Sequence, residues 1–171
     1  MRRRAEFAEF VDGEIPRLLG YARALTGNDH DAWDLVQECL VRVGQKWSSI
    51  DRSGNPGGYA RTTLVRLNVD RLRRIGREGP SDDIRADASL DPVPEGIEQW
   101  LLDALNALPP RQRTALVLRY VDDLNLRGIA DAMGCSTGTA KSHISRGLQT
   151  LRERAPQGSA LAHLTEGDGD V

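Results

Sequence analysis

Cysteine, aromatic residues and long apolar runs are all scarce in this chain of 171 residues. The two cysteines, Cys39 and Cys135, lie far apart and form no metal-ligand cluster, which predicts a reduced, cytoplasmic protein. No apolar run approaches the ~20 residues of a membrane-spanning helix. The residues that follow Met-Arg-Arg-Arg at the start are too acidic for the core of a signal peptide. We therefore expect neither secretion nor membrane insertion.

Features typical of enzymes are also scarce. The three histidines, His30, His143 and His163, are scattered along the chain. There is no glycine-rich phosphate loop, no nucleophile elbow and no cluster of residues at metal-ligand spacing. The sequence thus predicts a protein that is not an enzyme and that needs no cofactor and no metal.

The chain also lacks an excess of positive charge, because its formal net charge is −2. Most free-standing proteins that bind duplex DNA carry a basic excess. The charges are segregated, however. Residues 59–77 are rich in arginine, whereas residues 76–96 are acidic, contain three prolines and lack helical periodicity. The second segment is expected to be a flexible linker, since a long structureless loop is uncommon inside a compact domain.

Helical periodicity and the absence of strand patterns predict an all-α protein with two small domains. The expected boundaries are 1–75 for the first domain, 76–96 for the linker, 97–153 for the second domain and 154–171 for a disordered tail. In the first domain we expect a helix or helix pair over 5–25, a helix over 31–47, a loop over 48–58 and a helix over 59–74. In the second domain we expect four helices, over 97–107, 111–121, 125–133 and 136–152.

Residues 125–152 have the pattern of a helix-turn-helix. Gly134 can adopt the left-handed conformation that ends a helix, and Ser136 can cap the next one. The small Ala130 allows that second helix to cross nearby. Apolar residues then recur at helical spacing, at Ala140, Ile144, Leu148 and Leu151, and hydrogen-bond donors fall on the opposite side, at Lys141, Ser142, Ser145 and Arg146. This combination favours a DNA-binding helix over an ordinary helical hairpin.

Two further groups of residues are candidates for binding. Asp34, Gln37 and Glu38 share one helix face at i, i+3 and i+4, which is either a solvated face or a docking surface for a protein. In the arginine-rich helix, Arg66, Arg73 and Arg74 could follow phosphates, and Asn68 could contact a base edge. Trp47 and Tyr59 bracket the loop, where unstacked bases could pack, although Trp47 is better interpreted as a core residue.

These segments, in this order, resemble the RNA polymerase sigma factors of the extracytoplasmic-function type, in an actinobacterial SigE-like subgroup. The resemblance is carried by four motifs and covers about residues 6–75 and 97–152. The motifs are Asp34-Leu35-Val36-Gln37-Glu38, the stretch from Asn55-Pro56-Gly57-Gly58-Tyr59 to Asp70-Arg71-Leu72-Arg73-Arg74, Ala107-Leu108-Pro109-Pro110-Arg111-Gln112-Arg113, and Gly134-Cys135-Ser136-Thr137-Gly138-Thr139.

The resemblance implies a subunit that directs core RNA polymerase to promoters and helps to melt them. Asp34, Gln37 and Glu38 would dock on the β′ clamp helices, and the second domain would also meet the β flap. Residues implied at the minus-ten element are Ser53, Asn55, Tyr59, Arg61, Arg66, Asn68, Arg71, Arg73 and Arg74, with Asn68 and the loop at 53–55 capturing a flipped base. Residues implied at the minus-thirty-five element are Arg127, Thr139, Lys141, Ser142, Ser145 and Arg146.

Other partners and other functions stay open. An anti-sigma factor is a further candidate partner. A self-sufficient helix-turn-helix regulator, with the first domain for dimerisation or sensing, is the main alternative. The other is a protein-interaction module with a vestigial helix-turn-helix.

Overall fold

The computed structural model describes residues 2–50, 54–78 and 99–157, and all regular structure in these ranges is helical. The chain divides into two compact units, residues 1–82 and 83–171. The first unit contains α1 (Arg2–Thr26), α2 (Asp29–Lys46) and α3 (Pro56–Glu78). The second contains α4 (Gln99–Asn106), α5 (Pro110–Tyr120), α6 (Leu126–Met133) and α7 (Thr137–Arg154). The predicted all-α class is therefore confirmed.

The first unit is a bundle in which each helix packs against the other two. One apolar stripe from each helix faces the common core, as expected for amphipathic helices. The fully buried side chains of this core include Leu18, Leu25, Val36, Val43, Leu64 and Leu67. The predicted helix or helix pair over 5–25 is a single helix, α1, which continues through Pro16.

The turn between α1 and α2 is built from local hydrogen bonds. Gly27 has a φ of 79°, a left-handed conformation that glycine adopts without steric cost. Asn28 caps α2, because its side chain accepts a hydrogen bond of 2.8 Å from the backbone N–H of Asp31. Arg23 on α1 is ion-paired with Asp29, at 2.6 Å. The α1–α2 corner is thus fixed within a few residues.

Helix α3 begins three residues earlier than the sequence suggested. The expected loop over 48–58 ends at Asn55, and Pro56-Gly57-Gly58 already belongs to the helix. The Asn55 side chain accepts a hydrogen bond of 2.7 Å from the Gly58 N–H, and proline is favourable in a first helical turn. The stabilisation from this cap exceeds the cost of placing two glycines in the helix. At its other end α3 continues to Glu78, past the expected boundary at residue 75.

Two further contacts join α2 to its neighbours, one to α3 and one to α1. The buried Cys39 thiol donates to the Ala60 carbonyl at 3.3 Å, and burial raises the pKa of Cys39 to about 12. Trp47 is buried against Phe7 and Phe10, with ring centroids 5.2 and 4.8 Å away. The interpretation of Trp47 as a core residue is confirmed, so its ring is not a surface on which a base could stack.

In the second unit, α4, α5 and α6 all pack against α7. The core combines Ala104 and Leu108 with Leu116 and Leu151, and partly buried residues such as Trp100 surround it. Helices α5 and α7 approach closely at Gly147. A Cβ atom added there would lie 2.9 Å from Leu116 Cδ1, which is closer than real Cβ atoms come to a neighbour.

The predicted helix-turn-helix is present between α6 and α7. Gly134 ends α6 with φ 62° and ψ 43°, and the next N–H, of Cys135, bonds to the Ala130 carbonyl at 3.0 Å. Ser136 caps α7 by accepting a 3.0 Å hydrogen bond from the Thr139 N–H. Gly134 and Ser136 therefore do what the sequence predicted. At the start of α6, Asn125 caps the helix in the same way through the Gly128 N–H, at 2.8 Å.

Candidate nucleic-acid and partner interfaces

One side of α2 faces solvent and carries the predicted docking residues. Asp34, Gln37 and Glu38 are all exposed, whereas Leu35 and Val36 between them are buried. Two carboxylates in this group have close neighbours: Glu38 is ion-paired with Arg42 at 2.6 Å, and the Asp34 carboxylate lies 3.6 Å from Nε2 of His30. The three predicted side chains thus form one surface, as their spacing required.

The same surface contains two apolar side chains that the sequence analysis missed. Trp33 is 40% exposed and Val41 is 58% exposed, and with Gln37 they follow an i, i+4, i+8 column beside the acidic residues. Exposed aromatic and aliphatic side chains within a polar rim are typical of protein interfaces. Spacing places Trp33 on the same side of the helix as Gln37, four residues later, but does not show that so large an apolar side chain is exposed there.

Helix α3 exposes most of its arginines. Arg61, Arg66, Arg73 and Arg74 all face solvent, and Tyr59 is 36% exposed at the start of the helix. Only Arg73 has an acidic neighbour among these four within the described residues, namely Asp70 at 3.5 Å. These arginines and Tyr59 are therefore accessible to a polyanion, as the predicted role requires.

Asn68, the residue predicted to capture a base, lies inside the first unit in this structure. Asn68 is only 1% exposed and lies among the largest fully buried side chains of the first unit. It follows Leu64 by four residues and Leu67 by one, so the helical repeat turns it towards the core. A buried amide cannot receive a flipped base unless the bundle opens.

Arg71, unlike the exposed arginines, is ion-paired with a residue of another helix. Its guanidinium donates to the Asp31 carboxylate on α2, so it ties α3 to α2. Burial by itself would raise the pKa of Asp31, but hydrogen bonds from Asn28 and Arg71 outweigh it, and the pKa lies below its usual value. The structure thus assigns Arg71 to the helix packing, and not to the exposed arginine face.

The start of α3 is a capped helical turn, and residues 56–58 do not form a loop. The Asn55 side chain is committed to the helix cap, although it remains exposed. The Glu14 carboxylate of α1 lies beside it, 3.1 Å from the position that a Cβ of Gly57 would take. An acidic group is favourable at this positive end of a helix. Ser53, the other loop residue implied in base capture, lies outside the described residues.

Helix α7 separates its core residues from its polar residues. Ala140, Gly147 and Leu151 are buried on one side, with Ile144 and Leu148 partly buried beside them. The predicted DNA-contacting residues are all exposed, namely Thr139, Lys141, Ser142, Ser145 and Arg146. Arg127 is exposed on the neighbouring α6. A convex polar face supported by an apolar anchor is the arrangement with which a helix enters a major groove.

No group of three or more His, Cys, Asp or Glu side chains among the described residues could hold a metal ion. No helix in the described ranges is long and apolar enough to cross a membrane.

Comparison with known proteins matches both units in order. The model of sigma-70 region 2 matches residues 10–78, and that of sigma-70 region 4 matches residues 98–151. The chain belongs to the extracytoplasmic-function RNA polymerase sigma factors. It is 35% identical to the RNA polymerase sigma-E factor of Streptomyces avermitilis, over 86% of this chain and 84% of that protein. It is 34% identical to the sigma factor SigE of Mycolicibacterium smegmatis, over 85% of this chain and 60% of that protein.

A solved structure agrees with this assignment. The sigma factor RpoE of Bartonella quintana, in complex with the anti-sigma factor NepR, is 26% identical, with a TM-score of 0.59 over 87% of this chain and 96% of that one. This sigma factor therefore directs transcription initiation. The region 2 match accounts for the first unit, so the alternative of a dimerisation or sensor domain is set aside.

Proposed function

We propose that this sigma factor docks on the β′ clamp helices of core RNA polymerase through the exposed face of α2. Support comes from the mixed character of that face, where Trp33 and Val41 stand beside Asp34 and Glu38. Burial of the apolar side chains would supply binding energy, and the carboxylates would orient a basic or polar partner. The protein would act in the cytoplasm, where the polymerase and the promoter are.

Helix α7 would then enter the major groove at the minus-thirty-five element, and the exposed arginines of α3 would contact the minus-ten region. The observation that carries the first assignment is the separation of faces on α7. All five polar residues implied by the family pattern are exposed, while three others fix the helix to its unit. Phosphate contacts from α3 would position the protein and do not require base recognition.

An anti-sigma factor would regulate this chain. The Bartonella relative was solved bound to the anti-sigma factor NepR. A protein that covered the α2 face or the α7 face of this chain would block polymerase binding or promoter binding.

The test is run-off transcription with core polymerase on a library of genomic promoters, with two charge variants and a matched control for each. Asp34→Arg should abolish core binding, because it reverses a charge on the docking face. Asp12→Arg makes the same change at an exposed site on α1 and should bind normally. Pull-down of polymerase measures both variants. Equal binding by Asp34→Arg and Asp12→Arg would refute the docking face.

For the DNA face, Lys141→Ala is compared with Arg154→Ala. Both remove an exposed cation from α7, but Arg154 lies 13 residues further along the helix, or about 20 Å. Lys141→Ala should reduce upstream-element binding by the holoenzyme by about 1–3 kcal/mol if it contacts a base, and Arg154→Ala should have little effect. Unimpaired promoter binding by Lys141→Ala would count against the groove assignment.

A further inference from the structure

His143 occupies an unusual position on α7, at the border between the exposed face and the packed face. It lies one turn before Gly147, which packs on Leu116 and Gln112 of α5. It also lies three residues before the exposed Arg146. Its side chain is half-buried, whereas Ser142 on the exposed face is open to solvent. The imidazole therefore sits at the edge of the polar face nearest to α5.

The charges that act on this imidazole are both positive. They are the guanidinium of Arg111, at the start of α5, and that of Arg146 on α7 itself. The charged side chains of the other helices in contact with α7, namely Asp103 on α4 and Arg127 and Asp131 on α6, are not among them. Among the described residues, neither the Arg111 nor the Arg146 guanidinium forms a hydrogen bond or an ion pair, although the Arg146 carbonyl accepts a hydrogen bond from Thr150 Oγ1 at 3.2 Å. Two guanidinium groups thus act on one titratable imidazole, and no carboxylate among the described residues offsets their charge at it.

The start of α5 strengthens this positive potential. Pro109 precedes the helix, and no side chain caps its first turn. The uncompensated N–H groups of a helix N-terminus attract anions, and the helix dipole acts in the same direction. The anion that an exposed helix face of this kind meets on duplex DNA is a backbone phosphate.

We propose that His143 is a proton-dependent contact to a backbone phosphate of duplex DNA, seated between Arg111 and Arg146. The inference rests on the proposed role of α7 in DNA binding. In the free protein, burial and then repulsion from the two arginines lower the pKa of His143, so the imidazole is neutral at neutral pH. A phosphate placed among the three groups would reverse that repulsion and favour the imidazolium. Binding would therefore take up a proton and strengthen as the pH falls.

The experiment measures binding of the full-length chain to a labelled duplex of arbitrary sequence, at low ionic strength, between about pH 5.5 and pH 8. A backbone contact requires no particular promoter. A rise of one pKa unit on binding corresponds to tenfold tighter binding at the acidic end. His143→Gln cannot titrate and should bind at every pH as weakly as the wild type does at pH 8. His143→Arg should bind at every pH as tightly as the wild type does at pH 5.5.

Matched controls keep the result specific. His30→Gln replaces an exposed histidine of the other unit and should retain the wild-type pH dependence. At pH 5.5 the wild type should also show a steeper salt dependence than His143→Gln, by about 0.9 in the slope of log K against log salt, because one more phosphate is contacted. A purely structural role for His143 would not change that slope. Thermal denaturation of each variant separates loss of folding from loss of the contact.

Each other outcome has a definite meaning. Duplex binding that is equally pH-dependent in His143→Gln would overturn the proposal while leaving the α7 interface intact. No duplex binding at any pH would overturn the proposed phosphate contact of His143, whereas the α7 interface itself is tested by Lys141→Ala in the holoenzyme. Inorganic phosphate, compared with chloride at equal ionic strength, tests a small-anion site. If phosphate raises the pKa of His143 in proton NMR as much as duplex does, the site binds a free anion and the assignment to DNA is wrong.

Discussion

Replacement of Gly147 by alanine tests whether close contact between α5 and α7 fixes the proposed DNA-binding helix. The added methyl group would lie 2.9 Å from Leu116 Cδ1 and 3.2 Å from Leu116 Cγ. Leu116 belongs to the core of the second unit and is only 3% exposed. Its side chain therefore has little room to move away, and α7 must shift or Leu116 must leave its preferred rotamer.

Two effects of opposite sign decide the magnitude. Alanine stabilises a helix interior relative to glycine by about 1 kcal/mol. Overpacking of a filled core costs about 1–3 kcal/mol. Because contact is made with Cγ as well as with the terminal methyl, we expect the cost to exceed the gain. The net destabilisation of the second unit should then be up to about 2 kcal/mol.

Gly138→Ala is the matched control on the same helix. Its added methyl would meet only the Ser136 hydroxyl, at 3.8 Å. That substitution should leave the second unit unchanged or stabilise it by up to about 1 kcal/mol. Amide hydrogen exchange across residues 99–154 of the full-length chain reports the opening free energy of this unit directly. Stabilisation by Gly147→Ala equal to that by Gly138→Ala would show that the α5–α7 contact does not constrain α7.

Two further predictions concern the first unit. Asn68→Ala should lower the free energy of unfolding of that unit by about 1–3 kcal/mol, because it removes a buried amide and leaves the surrounding groups without that partner. Promoter melting by the folded holoenzyme, measured by permanganate footprinting, should be normal. A specific melting defect would support the base-capturing role. Asp31→Asn should destabilise the unit at pH 7, but by progressively less as the pH falls below about 3.8. The reason is that a carboxyl group whose pKa is lowered on folding contributes stability above its unfolded-state pKa and loses that contribution as the pH falls through its folded-state pKa. A constant difference between variant and wild type in urea unfolding from pH 7 to pH 2.5 would contradict this.

Local rules predicted the helix-turn-helix well and the start of α3 poorly. Gly134 and Ser136 act on their own backbone neighbours, so their conformations follow from residue type and position. The glycine pair at 57–58 also has a local signal, but there it was misleading. The Asn55 cap, Pro56 at the first turn and the Glu14 carboxylate from α1 together stabilise a helix that two glycines disfavour. The contribution of Glu14 depends on tertiary packing and has no signal nearby in the sequence.

At Asn68 and Arg71, residue type and helical periodicity point in different directions. Their residue types suggested nucleic-acid contacts, but their spacing from Leu64 and Leu67 indicated the inner side of α3. Periodicity was the better guide to Asn68, which is buried, and to Arg71, which reaches Asp31 on α2. Exposure of Trp33 and Val41 could not be derived in this way. Apolar residues at helical spacing normally pack inside, and only the positions of α1 and α3 show that this side of α2 is uncovered.

The charge distribution explains why such a chain requires a larger partner to read DNA. Among the residues of α6 and α7 that are predicted to contact DNA, three are exposed and positively charged: Arg127, Lys141 and Arg146. Three phosphate contacts give a salt-dependence slope of only about −2.7, at about −0.9 per contact. With a net charge of −2, the chain as a whole has no excess of positive charge that would attract it to DNA. Attachment to polymerase through α2 would instead hold α7 near the promoter at an effective concentration in the millimolar range, which compensates for weak intrinsic binding. A protonated His143 would add a fourth contact. Because the polymerase compensates for weak intrinsic binding, acid conditions should strengthen DNA binding more for the free chain than for the holoenzyme.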